Sequence, residues 1–175
     1  MENRPLNNFD YLYKTYKAGL YNYTYKMVGN NIICEDIIQV VFMKLYENLG
    51  RIRNYESSRY WLYKTTRNEI FKYYRTKQVH VDQYKAADAD EIDPESESNV
   101  EVEFDMKELS AYVAGELEKL SADQKEVYVL KEYSGLSYKE IAEITGIEEN
   151  VLRKRFFDAK NKLIEKLSNI YLTRG

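Results

Sequence analysis

Ser137, Glu140 and Gly146, followed closely by Arg153, Lys154 and Arg155, define the first chemistry this chain could perform. That chemistry is recognition of an anionic polymer. Ser137 and Glu140 have capping-box spacing, in which each side chain satisfies a backbone N–H at a helix start. Ile141, Ala142 and Ile144 add a short apolar stripe, and Gly146 falls where the chain must turn. Beyond it Leu152, Phe156, Ala159, Leu163 and Leu167 recur at helical spacing, with the cations crowding the other side. A short helix, a glycine-containing turn and a second helix basic near its start make the helix-turn-helix plan. That plan lays the second helix in the DNA major groove. An ordinary helical hairpin would show the same pattern.

A second cluster lies upstream, in YWLYKTTRNEIFKYYRTK and the preceding RIRNYESSR. Lys64, Arg67, Lys72, Arg75 and Lys77 are interleaved there with Tyr60, Trp61, Tyr63, Phe71, Tyr73 and Tyr74. Aromatic rings stack on unpaired bases at about 1–3 kcal/mol each, while cations track the phosphates. The segment equally suits an amphipathic core helix with Leu62, Ile70 and Tyr73 inward. A second nucleic-acid candidate on the same chain favours the binding reading.

Both clusters need a scaffold, and the remaining sequence supplies helices. Phe9, Leu12, Tyr13, Tyr16, Leu20, Tyr23 and Met27 keep helical spacing up to Gly29-Asn30-Asn31. A second helix is predicted from Glu35 to Tyr46, stopping around Gly50, with Glu35 and Asp36 in its first turn where negative charge suits the helix dipole. A third is predicted from about Arg59 to Lys77. Strand alternation is absent, so the fold class is all-α: two small helical domains, at 5–77 and 105–172, joined by a flexible acidic linker at 78–104.

Charge segregation supports that division. Residues 1–81 carry 13 positive and 7 negative side chains, 82–120 carry 3 and 13, and 121–175 carry 10 and 9, within an overall net charge of −3. The middle stretch, DADEIDPESESNVEVEFD, is too poor in apolar side chains to offset its chain entropy by burial. The 44% hydrophobic content elsewhere in the 175 residues is enough for packed cores. No apolar run approaches the ~20 residues of a membrane span, and the polar start is unlike a secretory signal. The single cysteine, Cys34, and single histidine, His80, exclude a disulfide framework and argue against a protein-built zinc site. Cys34 is expected as a buried small residue and His80 in a loop, in a reducing cytoplasm. Nothing offers a nucleophile–base pair, metal ligands or a phosphate-cradling glycine loop, so neither enzyme chemistry nor a cofactor is expected.

The segments CEDIIQVVFMKLYENL (34–49), WLYKTTRNEIFKYYR (61–75), LSADQKEVYVLKEYSGLSYKEIAEITGI (120–147) and RKRFFDAKNKL (153–163) occur in an order that resembles the extracytoplasmic-function (ECF) sigma factors of bacterial RNA polymerase. The resemblance spans nearly the whole chain apart from the acidic stretch. It implies a factor that binds core polymerase, through the largest and second-largest subunits, and directs promoter-specific initiation. Asp36, Gln39 and Val40 would lie on the polymerase-docking face, Val40 standing where an acidic residue is usual. Arg53, Asn54 and Tyr55 in the loop, with Trp61, Lys64, Arg67 and Asn68 on the helix, would meet the minus-ten element and melt it, Trp61 chiefly as an anchor. Ser137, Asn150, Arg153, Lys154 and Arg155 would meet the minus-thirty-five element. Val151 replaces a common Thr and Asp158 a common Arg, leaving that helix less basic than in relatives.

An anti-sigma partner is a further expectation from the resemblance, with no membrane insertion by the chain itself. The carboxylates from Asp88 to Glu103 would imitate RNA in the polymerase exit path, or serve as a solvated spacer. A helix-turn-helix regulator that never joins polymerase is the alternative function, and an adaptor without DNA binding a third. The regulator leaves the EDIIQ and WLY segments unexplained, and the adaptor is suggested by Val151 and Asp158.

Overall fold

Residues 4–52, 54–85 and 106–173 are described by the computed structural model, and every regular element among them is helical. The first module contains α1 (Arg4–Val28), α2 (Asn31–Asn48), a 3₁₀ turn (Leu49–Arg51) and α3 (Tyr55–Lys85). The second contains α4 (Met106–Glu118), α5 (Ala122–Tyr128), a π-helical turn (Val129–Tyr133), α6 (Tyr138–Thr145) and α7 (Glu149–Thr173).

The first helix forms as its spacing requires, burying Leu12, Leu20, Tyr23 and Met27 on one face. Its end and the next start fall together. Gly29 takes φ 66°, a left-handed conformation that glycine reaches without a Cβ clash. Asn30 then caps α2 by accepting the Ile33 N–H at 3.1 Å. This cap starts α2 at Asn31, so Glu35 and Asp36 lie in the second turn and not the first. Cys34, Ile37, Ile38, Val41, Phe42 and Leu45 form the buried face of α2. Cys34 is the small core residue expected, its thiol pushed up to about 11, chiefly by burial.

Helix α3 also begins earlier than the apolar pattern indicates. Asn54 accepts the Ser57 N–H at 2.8 Å, while its own N–H donates to Ser57 Oγ at 3.3 Å. This reciprocal cap carries the start back to Tyr55. At the other end α3 runs to Lys85, through the first residues of the expected linker and through position 80, where the sequence indicates a loop. No Gly or Pro interrupts that stretch, and a polar helix has no reason to stop without one. The remainder of the expected linker, including the carboxylates from Asp88 to Glu103, lies outside the described residues.

The second module is built around α7. Leu152, Ala159 and Leu163 are buried, and the Phe156 ring stacks on Tyr128 at 5.8 Å and meets Tyr138 edge-on at 6.0 Å. One ring thereby fixes α7 against both α5 and α6.

The two modules do not stand apart. Leu62, Tyr63 and Ile70 from α3 join Val127, Leu130, Leu136 and Ile141 in one continuous apolar cluster. Helix α6 rests on α3, and the π-helical turn rests on α1.

Candidate nucleic-acid interface

The helix-turn-helix forms as its sequence indicates. Glu140 N–H donates to Ser137 Oγ at 3.2 Å and Ser137 N–H donates to Glu140 Oε2 at 2.8 Å, completing the capping box at the start of α6. Gly146 closes α6 at φ 72°, its N–H reaching the Ala142 carbonyl at 2.8 Å. After a short turn α7 begins with Glu149, whose carboxylate lies at the positive end of the helix dipole. Asn150, Arg153 and Lys154 are exposed on its first turns. Arg153 lies 4.4 Å over the Tyr138 ring and 3.3 Å from Glu149, a pairing on the solvent side. Arg155 differs from the other two: it is half-buried and bonded to Asp123 of α5 at 3.1 Å, so it ties the module together.

On α3, Tyr60, Lys64, Arg67, Phe71 and Arg75 follow one another at helical spacing along a single face. Lys64 donates to the Tyr60 hydroxyl at 2.8 Å, and the Arg67 guanidinium sits 4.6 Å over Phe71. Lys64 and Asn68 are exposed, while Trp61 is half-buried against the core. Tyr63 is buried, so the aromatics of this helix are divided between core and surface. Arg53 lies outside the described residues, and Tyr55 is placed only by its backbone at the start of α3.

Arg67 is not presented to solvent as the sequence implies. Its Nε and Nη2 donate to the two oxygens of Glu126 on α5, at 2.7 and 3.2 Å, a fork that grips one carboxylate. The Tyr23 hydroxyl from α1 donates to the same carboxylate at 3.0 Å. Burial pushes the Glu126 carboxyl above its usual range, even with Arg67 pulling the other way. Beside it, buried Lys125 donates to the Met27 carbonyl at 3.1 Å and to Glu118 at 2.6 Å. That carbonyl belongs to the last turn of α1, where a cation offsets the negative end of the dipole, and the Tyr74 hydroxyl meets it from α3. Further along, Arg59 bonds Glu140 at 2.9 Å and Lys26 lies 3.8 Å over the Tyr133 ring.

None of these contacts between modules was anticipated from the sequence. The available signal is weak: Glu126 of α5 lies four residues before the buried Leu130 of the π-helical turn, a spacing that points inward.

Sigma-70 region 2 matches residues 12–79 and Sigma-70 region 4 matches 111–163, so the two modules are the two matched regions. The ECF sigma-E factor of Escherichia coli (strain K12) is 30% identical over 138 residues, covering 75% of this chain and 72% of its own. This chain belongs to the ECF sigma factor family. The sigma factor SigZ of Bacillus subtilis (strain 168) is 28% identical over 163 residues, 91% of this sigma factor and 87% of SigZ. The fold matches that of Bartonella quintana RpoE, solved with the anti-sigma factor NepR, at TM-score 0.71 and 22% identity over 92% of this chain and 97% of that one. As a sigma factor, the chain directs transcription initiation by RNA polymerase. The region 2 match accounts for the EDIIQ and WLY segments, which a free helix-turn-helix regulator left unexplained. Among the described residues, no helix of this sigma factor is long and apolar enough to cross a membrane.

Proposed function

We propose that this sigma factor docks on core polymerase through the outer face of α2, melts the minus-ten element with α3 and holds the minus-thirty-five element with the start of α7. The observation that carries the docking assignment is the stripe opposite the buried face of α2. Asp36, Gln39 and Val40 are exposed there together with Ile32, Met43 and Tyr46. An apolar stripe left in water, with polar groups spaced along it, marks a protein-binding face. Beside it a groove of about 770 Å³ is lined by Phe9, Tyr13, Ile38 and Phe42, giving a partner helix a place to seat.

On the DNA side, Lys64 and Asn68 flank Arg67 on α3, and Asn54 caps the start of that helix at Tyr55. A base leaving the stack costs a few kcal/mol, which such a surface offsets by stacking and phosphate contacts. On α7, Asn150, Arg153 and Lys154 reach the major groove while Ser137 steadies the helix before them. Arg155 contributes chiefly by orienting α7 through Asp123.

Polymerase supplies the phosphodiester chemistry and the factor itself is non-catalytic, acting in the cytoplasm. Control by an anti-sigma factor belongs to the same reading, by analogy with the NepR complex of the Bartonella quintana factor. The test is to mix the full chain with core polymerase and to map melted thymines on genomic promoter fragments with permanganate. Comigration with core and promoter-confined melting are expected. Asp36→Ala with Gln39→Ala should weaken core binding about tenfold. Duplex binding by the free chain with no affinity for core would overturn the proposal.

A further inference from the structure

Phe157 and Ile164 on α7 are 62% and 49% exposed, and neither takes part in the contacts assigned above to polymerase or promoter. They are seven positions apart, two turns of helix, and so share one face. Arg153, Lys154, Lys160 and Asn161 surround them on that face, all of them exposed. Leu152, Ala159 and Leu163 meanwhile point into the module. Helix α7 therefore carries two apolar stripes, one packed and one in water with a cationic border. Large apolar side chains left together on a surface mark a contact site.

The groove between α1 and α2 has the reciprocal character. Phe9, Tyr13 and Phe42 wall it, and Glu35 and Glu47 stand at its two ends, around a volume of about 770 Å³. Among the described residues neither carboxylate has an ion-pair partner. The lining holds one cation, Lys17, whose ammonium already lies 4.9 Å over the Tyr13 ring. The dimensions agree as well. Glu35 and Glu47 are 12 positions apart, about 18 Å of helix, and Arg153 and Ile164 are 11 apart, about 17 Å, at ~1.5 Å per residue.

We propose that the groove receives the outer face of α7 from a second copy of this chain. Phe157 and Ile164 enter among the aromatic walls, and the cations beside them meet Glu35 and Glu47. Lys17 is left to the acidic flank of the incoming helix, formed by Asp158 and Glu165. The two surfaces differ, so the contact is heterologous. Each added copy leaves one groove and one helix free, and growth continues until the geometry closes a ring. The rim pairs are exposed and screened by salt, while the two apolar side chains supply most of the attraction. Free factor is thereby held in a reserve whose size follows its concentration. Release by core polymerase rests on the docking assignment given above; the self-contact does not.

Sedimentation velocity on the full chain, across a wide concentration range, reads the association directly. The mean mass of the parent should rise with concentration and fall back as salt is added. Phe157→Asp on the helix and Met43→Arg at the groove should each weaken association at least about tenfold, both positions being exposed and outside the packed cores. Glu47→Lys alters charge alone and should weaken it about threefold, which keeps the test decisive if a larger substitution disturbs folding. Mixed in equal amounts, the Phe157→Asp and Met43→Arg chains should form a dimer with the affinity of the parent contact and grow no further. Each such pair holds only one sound groove and one sound helix.

A parent that stays monomeric throughout, or variants that assemble as the parent does, would overturn the proposal. So would a mixture in which the two variants stay apart while the parent grows, since that result demands a contact of like with like. Excess core polymerase should dissolve the assembly of the parent. Persistence of the assembly beside core would overturn the docking assignment and leave the self-contact standing.

Discussion

The two cationic surfaces differ in what holds their cations. At the start of α7, Arg153 meets Glu149 one turn away, with both side chains about half in water. Such a pair is worth about 0.3–0.5 kcal/mol and exchanges freely for a phosphate. On α3, Arg67 meets a carboxylate from another helix that water does not reach. The availability of a cation for DNA is thus decided by the hydration of its counter-charge. One surface of this sigma factor is open as folded, and the other is occupied by its own chain.

The strongest way to break that contrast is to delete the masked cation. Arg67→Ala leaves Glu126 buried with Tyr23 and no charge partner, and stranding a buried ion costs about 3–5 kcal/mol. Because Arg67 retains some contact with solvent, a loss near the lower end, about 3 kcal/mol, is expected from urea unfolding. A midpoint equal to that of the parent would mean that the pair contributes nothing to the folded chain.

At α7 the expectation reverses. Arg153→Ala with Lys154→Ala should change stability by no more than about 0.5 kcal/mol, because both side chains are exposed. Holoenzyme binding to a minus-thirty-five duplex should nevertheless weaken, with the slope of log affinity against log salt falling by about 2. An unchanged slope would place the phosphate contacts elsewhere.

A smaller effect tests whether α6 depends on its own cap or on its seat against α3. Ser137→Ala removes the hydroxyl that accepts the Glu140 N–H, and about 1 kcal/mol should be lost in thermal or urea unfolding. Asn54→Ala at the start of α3 should cost a similar amount, since its cap has the same reciprocal form.

These residues also separate what the sequence makes legible from what it hides. Ser137, Glu140 and Gly146 act on neighbours within a few positions, so their spacing alone announces the helix start and the turn. Gly29 and Asn30 are local too, yet they divide two tasks, ending one helix and capping the next. Because Asn30 caps α2, Glu35 and Asp36 fall a turn further along the helix than the apolar pattern alone indicates. Asn54 was counted among DNA contacts, and the structure gives its side chain a capping bond as well. Arg67 and Glu126 are 59 positions apart and each is an ordinary charged helix residue. Their pairing follows from how α5 settles on α3, which no periodicity within either helix encodes.

The two carboxylates of the inter-module contact offer the finest discrimination, because acid acts on them in opposite directions. At Glu140, burial pushes the carboxyl up, but the Ser137 hydrogen bonds and the charges of Arg59 and Lys131 outweigh it, and the group lies below its usual range. Its contribution is therefore present above the unfolded pKa, about 4.3, and is lost as pH falls through the depressed folded value. At Glu126, burial dominates over Arg67 and Tyr23 and the carboxyl lies above its usual range, so its contribution is lost as pH rises. Glu140→Gln keeps a capping box, since Gln also serves at that position, and removes only the charge. Its deficit relative to the parent, a few tenths of a kcal/mol for a partly exposed pair, should be present at neutral pH and vanish below the carboxylate range. Glu126→Gln should show the opposite trend in the same urea series, gaining on the parent as pH rises. Parallel trends for the two variants would mean that Glu126 is hydrated in solution, and that both surfaces are open.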